Sequence, residues 1–293
     1  MKLAFLITVN DDPIQLKRLT DSLPDSADCF IHVDKNTDLR PFTEKITSHN
    51  CHFLSRRTAV TACSISEVAA QAALLKAALQ NDSYDFLISL TGHDYPLWSN
   101  SRIETFFEEH KGKILISAVS LATLGHAADA WRMFRPFQSK KGLFSHVSSL
   151  LSHTTAATGV QKTLQIHCAD KTYDLYKGTP WWALSAGSAR LVLREWEHND
   201  HLRGYFKTSL SPADTFIPTV IFNSEYAGRG TLITSSSMPT DDDLSPLVTL
   251  TMATPLGEGS VNALLATGKM FCHGIESAFS GEKITSMIEK ERK

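Results

Sequence analysis

Apolar and polar positions alternate along the first part of the chain in blocks that read as strand, helix, strand. Leu3 to Val9 is an apolar run with β-branched members, as expected of a strand buried on both faces. Asp12-Pro13 then opens a helix, with Asp at N-cap and Pro at the first helical position, where its missing N–H costs nothing. Ile14, Leu16, Leu19 and Leu23 give that helix an imperfect apolar face, and Pro24 stops it. Cys29 to Val33 reads as a second strand and His52 to Leu54 as a third. Ser64-Ile65-Ser66-Glu67 has capping-box spacing, and Ile65, Val68, Ala69, Ala72, Leu75 and Leu79 follow at helical intervals. Tyr84 to Leu90 is a strand that breaks into the polar loop Thr91–Leu97. Ile103 to His110 is helical, and Lys113 to Val119 is a strand again.

This order predicts an α/β fold, with a mostly parallel central sheet, right-handed crossovers and flanking helices. Ligands of such sheets bind beyond the carboxyl ends of the strands. Asp34, Arg56, Arg57, His93 and Asp94 all fall at those ends.

From Leu121 to Tyr176 the pattern weakens. Trp131 to Phe137 mixes aromatics with cations, and Ser145 to Thr158 is rich in Ser, Thr and His. One reading is a surface excursion; the other is an acceptor-side lid whose Leu143, Phe144, Val147, Leu150 and Leu151 touch lipid or a lipid-linked substrate. Lys177 to Phe222 then holds two tryptophans beside a Gly-Thr-Pro turn, a helix, and a second helix opening on Ser211-Pro212-Ala213-Asp214. Beyond it lie a short strand, Thr231 to Thr234, an acidic loop, Met238 to Ser245, and a helix, Val261 to Ala266. The charged tail from Lys283 to Lys293 reads as frayed.

Composition narrows the class. The 293 residues are 42% hydrophobic, ample for a buried core. A formal net charge of −2 makes no electrostatic case for nucleic acid. The five widely spaced cysteines form neither a CxxC pair nor an even disulfide framework, which points to thiols in a reducing cytosol. The N-terminal apolar run is too short for a signal peptide, and no run approaches the roughly 20 residues of a membrane span. The expectation is a soluble, cytoplasmic protein, with peripheral contact at the inner membrane face left open by the apolar spacing near Leu143.

Common nucleotide and hydrolase signatures are missing. Gly228-Arg229-Gly230 and Gly257-Glu258-Gly259 lack the third glycine of a dinucleotide fingerprint, and there is no Walker loop, HExxH or GxSxG. Asp241-Asp242-Asp243 reads as a solvated loop rather than a metal site.

Five ordered blocks do carry a likeness. Ile31-His32-Val33-Asp34-Lys35 is similar to IHVD[KR], and Ser89 to Leu97 to LSGxDYPL. Gly178 to Leu184 is similar to GSxWWAL, Ser211 to Phe216 to SP[DA]E-x-F, and Lys269-Met270-Phe271 is a weaker echo of ARKF. By these blocks the chain resembles the core-2/I-branching β-1,6-N-acetylglucosaminyltransferases and the related peptide O-xylosyltransferases, glycosyltransferase family 14.

The resemblance implies a single glycosyltransferase domain over 1–293 with a GT-A-type nucleotide-sugar fold. Residues 1–120 would be its nucleotide-binding half, 121–176 a variable acceptor-side excursion and 177–280 its acceptor and catalytic half. It implies inversion at the anomeric carbon without a bound metal or other cofactor, a UDP-sugar as donor, and a glycan or lipid-linked glycan as acceptor. Asp214 would be the general base; the donor would be held by Asp34, Arg56, Asp94, Lys269 and Arg229, and the acceptor by Trp181, Trp182 and Arg135.

Each role has a plainer counterpart. Asp214, three residues into a helix opened by Ser211, also fits a capping arrangement. Asp34 and Asp94 would cap loops. Lys269 would sit at a helix end, one tryptophan would be core, and His32, His93 and His126 lack metal spacing. The family mostly has Glu where Asp214 stands, and its upstream arginine has no convincing match. The run Pro-Ala-Asp-Thr-Phe is closer to the xylosyltransferase variant, so UDP-xylose competes with UDP-N-acetylglucosamine. A non-catalytic sugar-nucleotide or glycan-binding module and a metal-dependent transferase using Asp34 are the other readings.

Overall fold

The computed structural model describes residues 1–81, 84–135, 161–169, 171–250, 258–278 and 281–292. Leu143 to Leu151, the basis of the lid reading, and Gly257 lie outside them. Five strands form the central sheet, in spatial order β10-β4-β1-β2-β3. These are β1 (Leu3–Val9), β2 (Asp28–Val33), β3 (Cys51–Phe53), β4 (Phe86–Thr91) and β10 (Ala183–Ser185). The pairs β1–β2, β1–β4 and β2–β3 are parallel, and β10 closes the β4 edge antiparallel. The chain is therefore a mixed α/β protein with a mostly parallel central sheet, as the strand and helix alternation predicts.

Helices α1 (Pro13–Asp21), α2 (Arg40–Lys45), α3 (Ile65–Ala78) and α4 (Asn100–Glu109) lie between these early strands and after β4. Asp12 caps α1 by accepting from the Gln15 N–H (3.0 Å), and the Ser64 hydroxyl accepts from the Ser66 N–H at the start of α3. Two large apolar clusters cover the sheet. One contains Ala4, Leu6, Leu75, Leu87 and Trp182; the other contains Phe5, Ile7, Ile31, Ile88 and Trp181. Successive side chains of a strand point to opposite faces, so residues adjacent in sequence join different cores.

Smaller sheets flank the centre. β6 (Ser117–Ser120) pairs parallel with β11 (Thr231–Ile233) and antiparallel with β9 (Tyr176–Lys177). β13 (Phe271–His273) lies between β12 (Val248–Leu250), parallel, and β5 (Asp94–Pro96), antiparallel. β7 (Gln165–His167) and β8 (Thr172–Asp174) form a separate hairpin. Helices α5 (Ala186–His198), α6 (Asp200–Phe206) and α7 (Pro212–Phe222) pack in sequence after β10.

Three local expectations are corrected. The strand expected from Lys113 begins at Ser117, and Leu115 makes only an isolated bridge to Ala183. The acidic loop contains a helical turn, α8 (Asp241–Leu244), in which Thr240 and Asp243 form a reciprocal capping box. After α9 (Glu258–Ala266), the tail expected to fray is helix α10 (Gly281–Glu291), anchored by buried Ile284 and Ile288. Its alternating charges masked that apolar stripe.

Candidate active site

The carboxyl ends of β1, β2 and β4 open onto a cavity of about 390 Å³, within the range of small-ligand sites. Val9 and Asn10, Asp34, and Thr91 with His93 come from those strand ends; Val60, Ala62, Cys63, Glu67 and Gln71 from the β3–α3 connection and α3. Pro180, Ser211, Ala213 and Asp214 close the opposite side, and His273 completes the wall. Two lining residues, Cys63 (φ 58°) and Ser211 (φ 41°), hold left-handed backbone conformations uncommon for non-glycine residues.

Asp214 is one of the residues that line this wall. Every residue of α7 except Asp214 is buried, so a rigid core helix presents this one carboxylate to the cavity. Ser211 makes no side-chain cap, and the Asp214 carboxylate accepts no hydrogen bond among the described residues. The capping role is therefore not filled. Burial pushes its pKa up to about 6; Lys177 opposes the rise and Asp241 adds to it. Lys177 is itself buried and paired with Asp241 at 2.5 Å. Gly178 fixes the approach: its N–H donates to the Asp214 carbonyl (2.8 Å). A Cβ on Gly178 would lie 2.6 Å from the Ser117 carbonyl oxygen and 2.9 Å from Pro218.

Asp34 lines the cavity, but its carboxylate is engaged by the loop: Oδ1 accepts from the Asn36 N–H (2.7 Å) and Oδ2 from the Val60 N–H (3.0 Å). Arg57 donates to the carbonyls of Asp34 and Thr37. The pair thus shapes the rim.

Asp94 lies beneath the wall, 0% exposed. Its Oδ2 accepts from the Thr91 N–H (2.7 Å) and the Trp181 Nε1–H (3.0 Å). Its Oδ1 accepts from the Thr91 hydroxyl (3.0 Å) and pairs with His273 Nδ1 (2.7 Å). It joins the ends of four segments rather than facing the cavity.

The remaining predicted residues are not brought to the cavity. Arg56 is exposed, and Arg229 is exposed and stacked over Tyr226 (5.2 Å). Lys269 donates to the carbonyls of Asp242 (3.1 Å) and Ser245 (2.5 Å), holding the end of α8. Both tryptophans are core, Trp181 bonded to Asp94 and Trp182 fully buried; Pro180 beside them lines the cavity instead. Arg135 is half-buried beside α6, its backbone N–H on the Thr208 carbonyl. His126 is a surface residue paired with Asp129.

The three histidines in the wall differ. Burial lowers the His32 pKa, and its Nε2 accepts from the Thr58 N–H (2.8 Å). Burial also acts to lower the His93 pKa, but Ile275 and Asp11 outweigh it and raise the net value. His93 Nδ1 meets the Ile275 carbonyl (3.1 Å) and Nε2 meets Asp11 (2.7 Å). His273, by contrast, has no signature in the sequence pattern beyond its place at the carboxyl end of a strand. Among the described residues no group of three or more His, Cys, Asp or Glu side chains is placed to hold a metal ion.

A parallel-sheet cavity at the strand ends, with a raised-pKa carboxylate on a core helix, is the arrangement of an enzyme acting on a bound small molecule. The Core-2/I-Branching enzyme model matches residues 3–236, and the chain belongs to that family.

No curated protein matches the chain. Among solved structures it is similar to S. aureus TarS 1-349 in complex with UDP-GlcNAc, at 15% identity and TM-score 0.29, covering 40% of this chain and 34% of that one. It thus spans about a third of that fragment. It is also similar to mouse xyloside xylosyltransferase 1 in its apo form (11% identity, TM-score 0.37, 94% of this chain and 98% of that one). A third likeness is to a putative glucose-1-phosphate thymidylyltransferase from Bacillus anthracis (12% identity, TM-score 0.36, 79% and 86%). No described helix is long and apolar enough to cross a membrane.

Proposed function

We propose that the chain is an inverting, metal-independent transferase that moves a sugar from a UDP-sugar to a glycan hydroxyl, with Asp214 as general base. N-acetylglucosamine is the first candidate sugar; xylose is the alternative, favoured by the Pro-Ala-Asp-Thr-Phe run. The observation that carries this reading is the Asp214 carboxylate, which lines the cavity, accepts no hydrogen bond among the described residues and is held at about 6 by burial. A base tuned near neutral pH matches the proton transfer such a step requires.

In the reaction the acceptor oxygen supplies an electron pair to C1 of the sugar. The bond from C1 to the diphosphate oxygen breaks with its pair, and the hydroxyl proton passes to Asp214. The strand-end half, 1–120, would hold the donor beside the Asp34 rim, and 177–280 would present the acceptor to Asp214. Asp is one methylene shorter than Glu, so the acceptor hydroxyl or α7 would sit closer to the other in the bound state.

The test is UDP release from a panel of UDP-sugars, with and without EDTA, for the wild type and Asp214→Asn. Turnover that survives EDTA and collapses in the variant supports the reading. Loss of turnover in EDTA overturns the metal-free mechanism, and donor binding without turnover, given suitable acceptors, favours a binding module.

A further inference from the structure

The departing diphosphate needs a positive or hydrogen-bonding partner, yet no lysine or arginine among the described residues lines the cavity. The nearby cations have other partners. Arg57 holds the Asp34 and Thr37 carbonyls, Lys177 pairs with Asp241, and Lys269 holds the Asp242 and Ser245 carbonyls. Histidines remain. His32 accepts through Nε2, and both ring nitrogens of His93 are occupied by Asp11 and the Ile275 carbonyl. His273 differs: Nδ1 is on Asp94, and Nε2 has no hydrogen-bond partner among the described residues.

We infer that His273, oriented by the buried Asp94, donates through Nε2 to the departing diphosphate of the nucleotide. The inference rests on the donor chemistry proposed above. Asp94 is the positioning residue. Wholly buried and bonded to Thr91 and Trp181, it cannot swing away, and its 2.7 Å contact fixes which ring nitrogen faces inward. The Trp181 ring packs 5.1 Å from the His273 ring and restrains its tilt. The other groups facing His273 are Thr91, 3.2 Å from Nδ1, and His93, whose ring lies 6.5 Å away and perpendicular. With Nδ1 donating to Asp94, donation through Nε2 requires a proton on both ring nitrogens, and the diphosphate would supply the negative partner for the second. When the C1–O bond breaks, its electron pair goes to the diphosphate oxygen, and His273 meets that growing charge with a charge-assisted hydrogen bond. His273 keeps its proton, Asp214 takes the acceptor's, and the atoms balance.

Calorimetric titration of the wild type, His273→Gln and His273→Lys with UDP and with uridine tests this. His273→Gln should weaken UDP binding by about tenfold or more and leave uridine within about twofold, because only UDP carries the diphosphate; His273→Lys should recover part of the loss. Ring-nitrogen NMR of the wild type needs no variant to fold: UDP, and not uridine, should move both His273 nitrogens to protonated shifts. Equal UDP affinity in His273→Gln and the wild type, equal losses for UDP and uridine, or an unmoved ring signal would each overturn the inference while leaving the base assignment standing. A wild type that binds neither UDP nor uridine would instead overturn the donor reading itself.

Discussion

Asp214→Asn keeps the side chain's shape and removes its basicity. Burial holds the wild-type carboxyl at about 6 against an ordinary 3.8. A group whose pKa is raised on folding favours the folded state most below its unfolded pKa and loses that contribution as pH rises through the folded one. The charged carboxylate therefore costs the fold about 3 kcal/mol well above pH 6, and nothing near pH 3. Asparagine carries no such cost, so the variant should melt roughly 5 °C higher than the wild type at pH 8, with the difference shrinking toward pH 4. Activity should move the other way. Loss of a general base lowers kcat by about 10²–10⁴, and wild-type kcat/KM should rise about tenfold per pH unit up to about 6 and then level. Scanning fluorimetry at pH 4, 6 and 8 and UDP release over the same range measure both arms. A variant that turns over within a few-fold of wild type, or that melts lower by the same amount at every pH, would refute the reasoning. The second result would mean that the carboxylate supports the helix rather than the chemistry.

Other changes test the frame around the base. Gly178→Ala places a methyl against the Ser117 carbonyl and Pro218; it should cost about 1–3 kcal/mol in denaturant unfolding and reduce kcat by displacing α7. Trp181→Phe shrinks a buried ring and removes a donor from buried Asp94; at least about 1–3 kcal/mol should be lost in the same assay, with UDP affinity falling as His273 loosens. Lys162, 5% exposed, donates to the Tyr205 carbonyl (2.6 Å), Thr208 (3.1 Å) and Ser209 (2.6 Å). Lys162→Met should lower the unfolding free energy by about 1–3 kcal/mol and leave the pH profile of kcat/KM unchanged.

The amino-acid pattern alone determined the central sheet. Leu3–Val9 emerged with the predicted bounds, and β2, β3 and α3 within one or two residues. These segments bury apolar side chains, and that requirement writes a period into the sequence. The place of the cavity at the strand ends follows from the same order, and Ser211-Pro212 marked the start of the helix that carries Asp214. The tail helix was hidden under charge, because two buried isoleucines carry its docking.

Only the tertiary structure decided what each polar residue does. Asp34 and Asp94 occupy equivalent strand ends in the sequence, yet one rims the cavity and the other lies under it with every oxygen engaged. Trp181 and Trp182 alternate as a strand requires, but both faces of this sheet are covered, so both are core. Arg229 and Lys269 look like free cations in the chain and are placed elsewhere by an aromatic ring and by carbonyls. His273 pairs with Asp94 across 179 residues, a contact set by the register of β13 on β5. A side chain's chemistry is a property of its partners. Those partners are brought together by packing between distant segments, which leaves no period in either segment to be read.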